Sequence, residues 1–274
     1  MIENQPIGIF DSGVGGLSIL ESIRQTLPNE QLIYVADAAN APYGKQSDAQ
    51  IVDHSLRVCR FLIAQNVKAI VVACNTATTI AISAIRATTN IPVIGVEPAI
   101  KPAVEQSKTG VVGVLATAGT LQSTQFEKLS NLYGKNIEGR EIELITQPCN
   151  GLVERVEAGD IDGPIVTQLL EQHLQPLLKR NVDTLVLGCT HYPFLIETIS
   201  QITGSAVAII HPGEAVARQL EKRIGQESQL RVKTDQPSIQ FFSSEVTERY
   251  RFRFEALLKQ SITLQSINLP LHQS

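Results

Sequence analysis

Tryptophan is absent from the 274 residues, and aromatic side chains make up 5% of the chain, so a surface for stacking bases has little to be built from. Neither sign of charge dominates. The formal charge of −4 gives no electrostatic reason to expect nucleic acid or an anionic membrane as partner. No run approaches the roughly 18 apolar residues of a membrane span. Asp11 and a glycine cluster interrupt the first apolar segment, which argues against a signal peptide and for a cytoplasmic protein. The four cysteines, Cys59, Cys74, Cys149 and Cys189, include no Cys-x-x-Cys pair, and a chain this long does not need disulfide staples. Free thiols in a reducing compartment are the expectation. His-Glu-x-x-His and clustered carboxylates are also missing, so no metal is expected. No lysine context points to a pyridoxal Schiff base, and no cofactor is expected.

What the chain does have is a repeated strand. Residues 66–76 (NVKAIVVACNT) and 181–191 (NVDTLVLGCTH) align without a gap. Each is a β-branched apolar run, the pattern of a buried parallel strand, and each ends in a small residue, a cysteine and hydrogen-bonding side chains. Ligands of open α/β sheets sit at the carboxyl ends of strands. Cys74 and Cys189 are therefore expected to face one pocket from opposite sides.

The rest of the chain alternates strand and helix signals, as α/β architecture does. Strands are expected over 6–10, 31–36, 91–96, 111–116, 141–146, 207–210 and 238–243. Helices are expected over about 17–27, a Ser47-capped stretch to 65, 78–88, 152–158, 164–179 and 246–259, with another ending near 223. Residues 37–45 read as a loop. The pattern restarts at 111, where 111–120 echoes the opening strand and turn. This gives two pseudo-symmetric parallel-sheet α/β domains with the active site in the cleft between them. The first comprises residues 1–98 with 212–274 packing back, and the second residues 99–211.

Chemistry concentrates near the thiols. Both cysteines fall between a strand and a predicted helix, where the dipole favours negative charge. One thiolate and one thiol on opposite faces of a carbon could remove a proton from one side and return one to the other, inverting a stereocentre. A lone cysteine in an apolar strand is more often core, but two at aligned positions shift the balance. Cys59 on an amphipathic helix reads as core, and Cys149 in a turn receives no role. Asp11 can relay protons to Cys74 or cap a helix. Asn75, Thr76 and Thr190 offer neutral donors or caps, and Tyr43-Gly44 after Pro42 can wall the pocket. His191, beside Cys189, titrates near neutrality. Glu157 can support it or simply be solvated. The glycine loop 11–16 could cradle an anion, although it matches neither the P-loop nor the full dinucleotide fingerprint.

Together, residues 8–17 (GIFDSGVGGL), Pro42-Tyr43-Gly44, 73–77 (ACNTA), 152–157 (LVERVE) and 188–193 (GCTHYP) resemble the bacterial glutamate racemases over nearly the whole chain. The resemblance implies cofactor-independent interconversion of L- and D-glutamate, a supply of D-glutamate for peptidoglycan, and a homodimer. It implies that Cys74 takes the α-proton of D-glutamate and Cys189 that of L-glutamate. Asp11 and His191 would assist their respective thiols, with Glu157 behind His191. Asp11, Ser12, Pro42, Tyr43, Gly44, Asn75, Thr76, Thr117, Thr120, Thr190 and His191 would meet substrate. His191 favours glutamate, since the related aspartate racemases commonly carry glutamate there. The tail after about Ser261 matches no usable pattern. Three alternatives stay open: a racemase or decarboxylase of this fold acting on another acid, a non-catalytic amino-acid binding module, and a nucleotide-binding protein using the glycine loop.

Overall fold

The computed structural model describes residues 2–134, 141–226, 230–231 and 237–269. The expected helix–strand alternation is present from the first apolar run onward. β1 (Ile7–Asp11), β2 (Leu32–Ala36), β3 (Ala69–Val72) and β4 (Val93–Gly95) alternate with α1 (Leu17–Thr26), α2 (Asp48–Ala64) and α3 (Asn75–Arg86). Helix α2 starts where Ser47 and Gln50 form a reciprocal capping box, which satisfies N–H groups that the first turn cannot pair internally.

The second set begins with α4 (Ile100–Gln106) and β5 (Val111–Ala116). It continues through α5 (Ala118–Leu121), α6 (Thr124–Tyr133), β6 (Glu143–Pro148), α7 (Leu152–Glu157), α8 (Pro164–Leu178), β7 (Thr184–Leu187), α9 (Ile196–Thr203) and β8 (Ala208–Ile210). The chain then adds α10 (Gly213–Gln226), β9 (Ile239–Ser243), α11 (Glu248–Leu258) and β10 (Leu264–Ser266).

Two compact units result, residues 1–96 with 213–274 and residues 97–212. Within the first, all strands pair in parallel in the order β10-β9-β2-β1-β3-β4. The second sheet is also parallel, in the order β6-β5-β7-β8. Its order is that of β2-β1-β3-β4, so the sequence echo is an echo of topology. In each unit the third strand lies beside the first, with the second strand on the other flank. This places the crossover switch, where open α/β sheets bind ligands, between β1 and β3 and between β5 and β7.

Each sheet buries its own core. In the first unit Phe10, Val35, Ile70, Val72, Leu62, Ile85 and Phe242 pack together. In the second, Val112, Val114, Val186, Ile100 and Phe126 do so. Strands covered by helices on both faces explain why these runs are continuously apolar rather than alternating. Several sequence-based bounds shift. Helix α3 begins at Asn75 rather than near 78, and α6 lies where no helix was anticipated. The loop after β2 contains two short 3-10 turns, Ala38–Asn40 and Tyr43–Lys45. Beyond Ser261 the chain forms β10, a three-residue strand on the sheet edge.

One polar clamp outside the strand ends carries a stability prediction. Asp183 accepts from Ser107 Oγ at 2.6 Å, from the backbone N–H groups of Lys108 and Thr109 at 2.7 Å each, and from Thr184 Oγ1 at 3.0 Å. Burial opposes its charge, but these donors outweigh burial and hold its carboxyl below the usual aspartate value. A depressed folded pKa stabilises above the unfolded pKa, and this contribution is lost as pH falls through the folded value. Asp183→Asn should therefore cost about 0.5–1.5 kcal/mol in neutral-pH urea unfolding, since solvent screens this partly exposed carboxylate. The cost should shrink as the wild type is acidified toward its own aspartate titration.

Candidate functional site

The chemistry-bearing residues sit at the carboxyl ends of the strands. In the first unit Asp11 closes β1, and the following turn leads into α1. Asp11 is fully buried, and its Oδ1 accepts from Gly13 N–H at 2.8 Å and from Ser12 Oγ at 3.4 Å. It does not cap α1, whose N-cap residue is Gly16. A Cβ at Gly16 would come within 2.6 Å of Asp11 Cβ, 2.9 Å of Tyr34 Oη and 3.0 Å of Ala73 Cβ. That glycine is required so that α1 can approach β1 and β3 closely, which accounts for it without a bound phosphate. Tyr34 Oη donates to Gly13 O at 2.8 Å and fixes the same turn.

Cys74 follows β3 and is the N-cap residue of α3. Its Sγ accepts from Ala77 N–H at 3.5 Å. The twelve-residue helix directs its positive end at the sulfur, a setting that favours negative charge. Ser12 Oγ lies 3.7 Å from Cys74 Sγ, so the Ser12 hydroxyl touches both the thiol and Asp11. Asn75 and Thr76 are buried in the first turn of α3. Asn75 Nδ2 donates to Val96 O at 3.3 Å, and its Oδ1 is buried without a hydrogen-bond partner. Tyr43 is buried in the same cluster as Cys74. Burial first, and then Asp37, Cys74 and Asp11, push its phenol well above the usual tyrosine pKa. Pro42 is half-buried and Gly44 exposed on either side of it.

In the second unit Cys189 follows β7, but the helix expected after it does not start there. A 3-10 turn, Tyr192–Leu195, intervenes, and α9 begins only at Ile196. A side chain faces the sulfur instead. His191 Nδ1 is 3.6 Å from Cys189 Sγ, and its Nε2 is 2.8 Å from Glu157 Oε1 at the end of α7. Burial disfavours the imidazolium, but Cys189 and Glu157 outweigh it and raise the pKa of His191 well above the ordinary histidine value. Thr190 is buried beside this triad. Thr117, at the end of β5, caps α5 by accepting from Thr120 N–H, and the two hydroxyls lie 3.0 Å apart. By strand register Ala116 corresponds to Asp11 and Thr117 to Ser12, so these threonines lie in the turn of the second sheet that matches the turn after Asp11 in the first.

The two remaining thiols differ. Cys59 is pushed up to about 12 by burial alone. Burial and the neighbouring Cys189 charge raise Cys149 further. Cys59 and Cys149 are 1% and 2% exposed, whereas Cys74 and Cys189 each keep 6%, so the repeated pair is also the less sealed pair. Sequence reasoning gave no role to Asp37, the first residue after β2, whose last residue Ala36 pairs with Asp11, or to Tyr192, whose hydroxyl donates to Cys149 O at 3.3 Å. The position of Asp37 at a strand end was the available signal. For Tyr192 no local signal existed. Among the described residues no group of three or more His, Cys, Asp or Glu could hold a metal ion, and no helix is long and apolar enough to cross a membrane.

Two parallel sheets in one strand order, each with a thiol beyond its third strand, define the class. The family described as Asp/Glu/Hydantoin racemase matches residues 7–220, and the chain belongs to that family. It is accordingly a racemase, an isomerase by reaction type. A glutamate racemase from Methylococcus capsulatus is 52% identical over 219 residues, covering 80% of this chain and 79% of its own. A solved glutamate racemase isoform from Bacillus anthracis matches with a TM-score of 0.88 at 34% identity, over 98% of this chain and 100% of its own. A glutamate racemase from Francisella tularensis, solved in complex with D-glutamate, matches with a TM-score of 0.84 at 33% identity, over 97% of this chain and 98% of its own. The resemblance read from the motifs thus extends over the chain.

The His191–Glu157 pair carries a pH prediction. A raised folded pKa means that its contribution is complete below the unfolded value and is lost as pH rises through the folded value. Glu157→Gln removes one of the two influences that raise the pKa. On the reading that His191 assists Cys189, the alkaline limb of kcat/KM should move to lower pH. The rate at neutral pH should fall roughly tenfold or more, the scale of one charged hydrogen bond. A pH–rate profile superposable on the wild type would refute the pairing.

Proposed function

We propose that this chain interconverts L- and D-glutamate without a cofactor, using Cys74 and Cys189 as the two proton-transfer groups. With D-glutamate bound, the Cys74 thiolate removes the α-proton and becomes a thiol. The Cys189 thiol then delivers a proton to the opposite face and becomes a thiolate. L-glutamate runs the same steps in reverse. Ser12 and Asp11 serve Cys74, and His191, backed by Glu157, serves Cys189. Asn75, Thr76, Thr190, Thr117 and Thr120 supply neutral groups for the substrate's carboxylates and ammonium, with Tyr43, Pro42 and Gly44 forming a wall. Negative charge developing on the α-carbon and its carboxylate is stabilised by such preorganised donors.

The observation that carries this reading is the pair of thiols at equivalent strand ends of two sheets with one strand order, each with a polar side chain against its sulfur, Ser12 at 3.7 Å from Cys74 and His191 at 3.6 Å from Cys189. We place the reaction in the cytoplasm, as a source of D-glutamate for peptidoglycan, in an enzyme acting as a homodimer. The test incubates purified protein with each enantiomer of glutamate in deuterated water, with no added cofactor. Loss of optical activity from both sides with deuterium at the α-carbon is expected. No loss and no exchange, with turnover of aspartate instead, would overturn the substrate assignment. Saturable glutamate binding without exchange would reduce the chain to a binding protein.

A further inference from the structure

The tail that follows the repeat reaches the residues expected to hold substrate through one buried carboxyl group. Asp37 directly follows β2 and is fully buried. Its Oδ2 accepts from Tyr43 Oη at 2.7 Å, and Asn40 Nδ2 donates to Oδ1 at 2.9 Å and to Oδ2 at 3.1 Å. The third side chain comes from more than two hundred residues along the sequence: Ser244 Oγ, just after β9, donates to Asp37 Oδ1 at 2.9 Å. The same Ser244 oxygen accepts from Ala39 N–H at 3.0 Å, and Ser244 N–H donates to Ala36 O at 3.0 Å. Through Ser244, just beyond β9, the tail thus makes two bonds to the loop that starts at Asp37 and a third to the end of β2. His54 of α2 lies against the other side of the arrangement, its ring 6.0 Å from that of Tyr43.

A buried carboxyl with this many donors is costly to leave partly satisfied, so each bond constrains the others. The Tyr43 hydroxyl is fully committed to Asp37 as donor, which fixes the ring that shares a cluster with Cys74. We propose that Asp37 and Ser244 are positioning residues. Together they make the C-terminal extension set the placement of the Tyr43 wall, and hence substrate affinity, without touching the reacting atoms. This rests on the reading that Tyr43 borders the glutamate site. It gives the extension, which has no counterpart in the second unit, a task in the reaction.

The test uses the full chain and the variants Ser244→Ala, Ser244→Thr, Asp37→Asn and Tyr43→Phe. Ser244→Ala should raise KM for both glutamate enantiomers about fivefold or more while kcat stays within about twofold, on the scale of one hydrogen bond to a charged group. Ser244→Thr, which keeps the hydroxyl, should restore KM. In a Tyr43→Phe background Ser244→Ala should add little, because the constraint it transmits is already broken. Unchanged KM in Ser244→Ala, equal losses in kcat and KM, or full additivity with Tyr43→Phe would each overturn the proposal.

A second readout needs no turnover. The chain has no tryptophan, so ultraviolet absorbance near phenolate wavelengths reports its five tyrosines cleanly. Asp37→Asn should bring one phenol ionisation to lower pH, with Cys74, Asp11 and His54 unchanged around it. A superposable titration would overturn the network itself. A chain that shows the tyrosine shift but racemises no glutamate would instead refute the functional reading and leave the anchoring intact.

Discussion

Cys189→Ala is expected to leave no measurable racemisation, and Cys74→Ala the same. General acid–base groups contribute on the order of 10²–10⁴ in rate, so a loss of at least about a hundredfold is expected from either change. Misfolding should not explain it. Cys74→Ala loses one cap to Ala77 N–H, worth about 1 kcal/mol, and Cys189→Ala leaves β7 and its pairing untouched. The variants should differ from each other in isotope exchange. With Cys189 removed, the proposed mechanism has Cys74 still taking a proton from D-glutamate and returning deuterium to the same face, so exchange without inversion is expected. With Cys74 removed, exchange should be confined to L-glutamate. Exchange from the wrong enantiomer in both variants would reverse the facial assignment, and full turnover by either would end the two-thiol mechanism.

Lys68→Met should destabilise the fold far more than either thiol replacement. Lys68, just before β3, has a fully buried side chain, and its Nζ lies 2.5 Å from Oε2 of the buried Glu30 while donating to Glu3 O at 3.0 Å. Two buried charges are costly to desolvate, and their attraction offsets that cost only while both are present. Removing Lys68 strands Glu30, with the Arg231 N–H at 3.0 Å as a remaining donor. A loss of about 3–5 kcal/mol follows. In a chain of this size that corresponds to a fall in Tm on the order of 10 °C. Glu30→Gln alone should also destabilise, and the double replacement should recover much of the loss because no charge is left buried alone. Calorimetry on the three variants checks this. A double variant no better than the worse single would show that the pair contributes net stability rather than only mutual need.

Strands were legible where burial on both faces produces unbroken apolar runs, as at Val71-Val72 and Val186-Leu187. Helices were legible where caps announce them, as at Ser47. Helix α6 was not, because most of its residues are polar and only Phe126 is buried, so its pattern is set by what lies under it. The edge strand β10 was missed for a related reason: three residues carry too little periodicity, and only the exposed flank of β9 makes them a strand.

The thiols show where local pattern ends. Because the two strands align, the sequence suggested one electrostatic setting for both cysteines. Only Cys74 has it. After Cys189 the proline-containing turn delays the helix, and His191 with Glu157 takes over beside the sulfur. Glu157 reaches His191 from 34 residues away in sequence, and Ser244 reaches Asp37 from 207 residues away.

By itself the sequence determined the alternation of elements, the internal repeat, the identity of the paired cysteines and the family. All of these are written in short-range pattern, spacing and residue type. Only the tertiary structure decided the strand order, the placement of Ser12 between Asp11 and Cys74, the different partners of the two thiols and the anchoring of Tyr43 by the tail. Those depend on parallel crossovers that bring strand ends together regardless of their separation along the chain. Contacts of that kind leave no local trace in the residues that make them.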